Sequence, residues 1–264
     1  MSTRIESTFS GLKGKRAALI PFLMAFDPDR ETTLAALDAL VEAGADIIEI
    51  GIPFSDPMAD GPVIQAAGLR ALQGGATLAG VLALVAEFRR KNTHTPLILM
   101  GYYNPIYRYG AEVFCADAAK AGADGLILVD LPPEEEQELT PYLQAQGLKL
   151  IRLIAPTSLE TRAKTLCESA SGFVYYISVT GITGAKSANN SDLKAQLAQL
   201  RQHTKLPIAV GFGIKTPQQV KDVASMADAV VVGSALVDTM HKAGKNAAKA
   251  ASDFMRQLSA GLQG

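Results

Sequence analysis

Eight short apolar runs limit what this chain can fold into more than any other feature. They are AALIPF (17–22), DIIEI (46–50), LILMGY (97–102), GLILV (125–129), KLIRLI (149–154), FVYYIS (173–178), PIAVGF (207–212) and DAVVVG (228–233). None alternates cleanly between apolar and polar, so each reads as a strand buried on both sides of a parallel sheet. The segments between them follow helix grammar. Asp27, Pro28 and Asp29 supply a cap, a first-turn proline and an acid, after which Leu34, Leu37 and Val41 share one face. Pro132 and Pro133 open another helix, with Glu134, Glu135 and Glu136 in the first turn, where the helix dipole favours acids. A junction also repeats: AGAD at 43–46 and 121–124, and MADA at 226–229, each closing a helix and starting a strand.

Eight strands alternating with helices in 264 residues fit a closed α/β barrel of the (β/α)8, or TIM, type better than an open sheet. The expectation is a single catalytic domain over 1–264. Extra helices are expected at Arg4–Leu12, in the long segment after the second strand, and at Lys245–Leu258. With 48% hydrophobic and 19% charged residues the composition is that of an ordinary globular protein. A formal net charge of −1 gives no reason to expect a nucleic acid or a membrane as partner. There is no leader-like segment and no run of eighteen apolar residues. Cys115 and Cys167 lie in helical patterns and read as buried thiols, which suits a cytoplasmic protein.

Active sites of such barrels form at the C-terminal ends of the strands, and this rule sorts the candidates. His94 and His203 precede strands, and His241 lies in the last helical stretch, so the histidines do not converge and no metal site is expected. Lys149 starts its strand, while Lys186 and Lys215 lie in loops, which disfavours Schiff-base chemistry. Glu49 passes. It comes near the end of the second strand, facing the same side as Ile47, and inside an apolar barrel its pKa would rise towards the range a proton shuttle needs. The alternative is a structural pair with Arg152. Asp60 reads as a working acid, or else as a turn former or a cap for the helix starting near Pro62, and Asp56 as a loop-shaping residue. Glycine clusters follow the last three strands: TGITG (180–184), GFG (211–213) and Gly233-Ser234. There backbone N–H groups can approach a phosphate, and the 180–191 loop could close over it. Phe22, Met100, Val129, Leu153, Tyr175 and Phe212 give the mouth an apolar lining. The residues alone therefore describe a barrel for a phosphorylated substrate with a hydrophobic part, worked by an internal carboxylate.

At this point IEIGIPFSDPMADGPVIQ (48–65), MGYYNP (100–105), LILVDLPPEE (126–135), GITGA (181–185), VGFGI (210–214) and GSALV (233–237) together resemble the motifs of the tryptophan synthase alpha chain family, in order along nearly the whole chain. The resemblance implies a reversible retro-aldol cleavage of indole-3-glycerol phosphate to indole and glyceraldehyde 3-phosphate in L-tryptophan biosynthesis. It assigns Glu49 and Asp60 as catalytic, and Gly184, Gly213, Gly233 and Ser234 to the phosphate. Phe22, Tyr175 and Phe212 fall in the substrate pocket, and Thr183 matches the closing loop's contact to the Asp56–Asp60 loop. It implies no cofactor on this chain, and a beta chain carrying pyridoxal phosphate as partner in an alpha2-beta2 heterotetramer. Met24 and Phe26 depart from the pattern, which has smaller residues and a glycine there, so Phe26 would restrict the first loop or extend the apolar rim. Three other readings stay open: a stand-alone lyase releasing indole, a phosphosugar isomerase on the same barrel, and a non-catalytic subunit.

Overall fold

A computed structural model describes residues 2–159, 161–177, 190–211 and 213–262. Helix α1 (Arg4–Leu12) comes first, begun by a reciprocal cap between Thr3 and Glu6. The first half of the barrel then runs β1 (Ala18–Met24), α2 (Arg30–Glu42), β2 (Ile48–Gly51), α3 (Pro62–Gln73), α4 (Leu78–Arg89), β3 (Leu97–Gly101), α5 (Tyr103–Tyr109), α6 (Ala111–Ala121) and β4 (Gly125–Leu128). The second half is α7 (Thr140–Gln146), β5 (Lys149–Ile154), α8 (Ala163–Glu168), β6 (Val174–Ile177), α9 (Asn190–Leu200), β7 (Ile208–Gly211), α10 (Pro217–Ala224) and β8 (Ala229–Val232). Helices α11 (Ser234–Ala243) and α12 (Ala247–Ser259) close the chain. Each strand pairs in parallel with the next and β8 pairs with β1, so the expected (β/α)8 barrel is closed. Among the described residues no single helix is long and apolar enough to cross a membrane.

Alternation along the strands divides the core in two. Ala18, Ile20, Ile47, Ile98, Ile127, Ile151, Ala209, Ala229 and Val231 fill the barrel interior, capped from below by Ile5 and Phe173. Leu19, Leu23, Ile48, Ile50, Leu97, Leu99 and Leu126 point outward under the helices. Both sets are apolar because both faces are buried.

The repeated junction has a tertiary purpose. Asp46 accepts the Leu19 N–H at 2.8 Å and returns its own N–H to the Leu19 carbonyl at 3.0 Å. Asp124 does the same with Leu97, and Asp228 with Ile208. In the remaining quarter of the barrel Ser171 replaces the aspartate and clasps Leu150 with its hydroxyl and its N–H. Arginines neutralise the acids: Arg16 binds Asp46, Arg4 and Arg89 bind Asp124, and Arg201 binds Asp228. Four clasps thus tie each odd strand to the residue just ahead of the following even strand.

Several local expectations need correction. Asp27 does not cap α2; Asp29 does, accepting the Thr32 N–H at 2.7 Å. Asp27 is buried and grips Arg70 of α3 through two bonds of 2.7 Å, so Pro28 precedes the cap. Residues Pro133–Glu138 form a 3-10 turn, and α7 begins only at Thr140. Glu134 and Glu136 are drawn off to Arg162 and Arg152. The last helix starts at Ala247, after a 3-10 turn over Gly244–Asn246. The β3 unit also carries two helices, broken where Gly110 takes φ 94. Phe26 adopts φ 66, the only positive φ off glycine among the described residues. Its ring packs onto Gly80 of α4, where an added Cβ would lie 3.0 Å from Cζ. Phe26 thus docks on α4 and on the cluster around Phe22 and Met24, at a backbone cost of about 1 kcal/mol.

Candidate active site

Glu49 is the second of the four residues of β2, in register with Phe22 of β1 and Ile98 of β3. It faces inward and is 1% exposed. The pairing with Arg152 does not occur. Arg152 alternates with inward Ile151 and Leu153, so it points outward, where it donates to Ser169 Oγ at 3.0 Å and to the Leu131 carbonyl at 2.8 Å and pairs with Glu136. Neither Glu49 oxygen has a hydrogen-bond partner among the described residues. Burial alone pushes its pKa up to about 8. A carboxyl in this state is protonated at neutral pH and can give its proton up.

The walls around Glu49 are aromatic and depend on missing side chains. The Phe22 ring lies over Gly51, where a Cβ would stand 2.6 Å from Cζ, and the Tyr175 hydroxyl lies over Gly211, where a Cβ would stand 2.1 Å away. Burial, and then the charge of Glu49, hold the Tyr175 phenol well above its usual range. Met100 and Leu153 complete the partly buried lining.

Asp60 lies on the loop between β2 and α3. It is not a helix cap, since Gly61 occupies that position without any side-chain bond. The loop is fixed by three contacts. Asp60 N–H reaches the Pro57 carbonyl at 3.1 Å, Ala59 N–H reaches Tyr102 Oη at 3.0 Å, and Gln65 Nε2 donates to the Asp60 carbonyl at 2.9 Å. Burial raises the Asp60 pKa to about 6, against a lowering contribution from the Tyr102 hydroxyl bond. At neutrality Asp60 is therefore mostly a carboxylate. Tyr102 and Gln65 were not singled out from the sequence, although Tyr102 stands in the MGYYNP motif at the end of β3. Asp56 remains an exposed loop former, bonded to Ser55.

Across the mouth, Gly233 caps α11 with Ser234 as the helix's first residue. The Gly233 carbonyl accepts from Leu236 and Val237, so the N–H groups of Ser234 and Ala235 stand at the positive helix end without intrahelical acceptors. Gly233 lies against Phe22, a Cβ there being 3.7 Å from Phe22 Cβ. Gly213 takes φ 57, a conformation suited to glycine. Thr183, Gly184, Phe212 and most of the 180–191 loop lie outside the described residues. His94 and His203 are exposed ahead of β3 and β7, and His241 is exposed in α11. The geometry thus unites Glu49, Phe22, Tyr175, Gly233 and Ser234, with Asp60 on its own braced loop.

The family model for "Tryptophan synthase alpha chain" matches residues 9–262. A tryptophan synthase alpha chain from Acidiphilium cryptum is 56% identical over 239 residues, which are 90% of this chain and 87% of that one. Its counterpart from Gluconacetobacter diazotrophicus is 52% identical over 99% of this chain and 96% of that one. Among solved structures, tryptophan synthase subunit alpha from Legionella pneumophila superposes with a TM-score of 0.93 at 41% identity, covering 100% of this chain and 99% of that chain. A tryptophan synthase chain from Mycobacterium tuberculosis superposes at 0.88 with 34% identity, covering 99% of each.

Proposed function

The chain belongs to the tryptophan synthase alpha chain family and is a lyase cleaving indole-3-glycerol phosphate; from that premise we propose that Glu49 is its proton shuttle and Asp60 its ring anchor. Breaking the bond between indole C3 and the glycerol carbon requires the ring to accept an electron pair. Glu49, protonated at neutrality, donates its proton to C3 and leaves an electron-poor indolenine. The Glu49 carboxylate then takes the proton from the hydroxyl on the adjacent carbon. As the C–C bond breaks, its electron pair returns to the ring, the hydroxyl carbon becomes the aldehyde, and Glu49 is protonated again. The Asp60 carboxylate holds the ring N–H and stabilises the positive charge that builds there. Gly213, Gly233 and Ser234, with Gly184, receive the phosphate, while Phe22, Tyr175 and Phe212 enclose the ring.

One observation carries this reading: a carboxyl inside the barrel, 1% exposed and without a hydrogen-bond partner among the described residues. A buried acid left unmatched costs free energy that a purely structural role does not repay. The residues named supply the acid, the base and the anion site without a cofactor on this chain. The whole of 1–264 acts as one catalytic unit in the cytoplasm. Its partner is a beta chain, which carries pyridoxal phosphate and docks over Pro53–Asp60 and Asn104-Pro105 in an alpha2-beta2 assembly. Indole release from indole-3-glycerol phosphate, with and without added beta chain, tests both parts. Glu49→Gln should lower kcat by at least about 100-fold, the loss of one acid–base group. Near-normal turnover in that variant would overturn its role, and turnover indifferent to beta chain would favour a stand-alone lyase.

A further inference from the structure

A cleft of about 550 Å³ opens at the N-terminal end of the barrel, beneath β7, β8 and β1, on the face opposite Glu49 and Asp60. The chain as a whole has a formal net charge of −1. The cleft nevertheless gathers Lys13, Lys15, Arg16, Arg201 and Lys205 around a single acid, Asp228. Two of these cations are committed, Arg16 to Asp46 and Arg201 to Asp228. Lys13, Lys15 and Lys205 pair with no carboxylate among the described residues. The lysines come from two separate segments, the turn after α1 and the loop between α9 and β7, and both segments line the one cleft. Gly14, at φ 74, makes the tight turn between Lys13 and Lys15, and all three line the cleft. The same lining carries apolar side chains, Phe9, Leu206 and Pro207, each partly buried.

We propose that this cleft binds a small organic polyanion, a flat ring carrying phosphate groups, at a site separate from the catalytic mouth. Like charges held close without counter-charges raise one another's energy, and a multivalent anion relieves that repulsion. A volume of this size is in the range of small-molecule sites, which combine an apolar lining with a few convergent polar groups. The apolar side chains take the ring and the three free lysines take the phosphates. Compact ammonium groups on flexible stems suit a phosphate chain of variable shape.

Calorimetric titration of the full chain with ATP, inorganic triphosphate and adenosine, at fixed ionic strength, tests the assignment. ATP is expected to bind one per chain, more tightly than triphosphate and far more tightly than adenosine. The double variant Lys13→Ala/Lys205→Ala should weaken ATP at least tenfold while cleaving indole-3-glycerol phosphate normally. A control, Lys164→Ala/Lys249→Ala, removes the same charge from helices elsewhere and should bind ATP as the parent does. Because Lys13 and Lys205 lie away from Glu49, the comparison locates the site whatever the mouth binds. Absence of ATP binding, or equal loss in both double variants, overturns the proposal. So does triphosphate binding as tightly as ATP, which would leave the apolar side chains without a role.

Discussion

Glu49 keeps its proton in the fold up to pH about 8, whereas in the unfolded chain it loses it near 4.5. Between those values the fold holds more protons than the unfolded chain, so stability falls as pH rises, by on the order of a few kcal/mol. Glu49→Gln removes the ionisation and with it the slope. Urea denaturation should therefore show the variant gaining on the parent from pH 5 to pH 8, and a constant difference would contradict the buried, unpaired state. Tyr102→Phe addresses the second acid. It removes the hydroxyl that lowers the Asp60 pKa and accepts the Ala59 N–H. The acid limb of the kcat/KM profile should move to higher pH, with kcat down roughly tenfold for a lost hydrogen bond to a charged group; an unmoved limb would detach Tyr102 from Asp60. Glu49 was legible as a candidate because an acid inside a buried strand is costly, whereas Asp60, on a loop, was marked out by the family motif. What separated Glu49 from Arg152 was not legible. Both strands are apolar on both faces, so nothing in the run KLIRLI says which parity points inward. Tyr102 escaped notice for a related reason, its partner Ala59 being 43 residues away. The left-handed backbone of Phe26 is not signalled by the phenylalanine itself; the hint lay in the glycine of the family pattern from which this stretch departs.

Elements were easier to read than their ends. All eight strands fall within or near the apolar runs, and α1 has the bounds its pattern predicts. The errors cluster where tertiary ion pairs override local grammar, as at Asp27 with Arg70 and at Glu136 with Arg152. The AGAD repeat was visible only as a junction, because its aspartates act on strands distant in sequence. Asp124 shows what the repeat contributes: it satisfies the Leu97 N–H and neutralises Arg89, whose side chain is 8% exposed. Asp124→Ala would leave a buried cation and a buried donor unmatched, and should cost about 3–5 kcal/mol in urea denaturation. Asp192→Ala, at the exposed start of α9, should stay within about 0.5 kcal/mol. Equal costs would mean that the clasp adds nothing to the ladder it borders.

For the whole molecule the testable property is coupling across the mouth. The loop from 180 to 191 is proposed to reach the Asp60 loop through Thr183 once phosphate is bound, and the beta chain is proposed to dock on that same Asp60 loop. A partner that favours the closed arrangement must in turn be bound more tightly when phosphate ligand is present, by the same factor, because linkage is reciprocal. Association of the two chains, measured with and without a non-cleavable substrate analogue, should differ by about 5-fold or more; equal affinities would remove the coupling. The four clasps also bear on how the barrel comes to exist. They bridge sequence separations of only 27, 27, 21 and 20 residues, whereas the β1–β8 seam joins nearly the two ends of the chain. Closing a short loop forfeits less chain entropy than closing a long one, so the clasped strand pairs are the segments able to organise while the remainder is still fluctuating. Assembly then becomes the joining of four such quarters, with the seam between first and last strand sealed at the end.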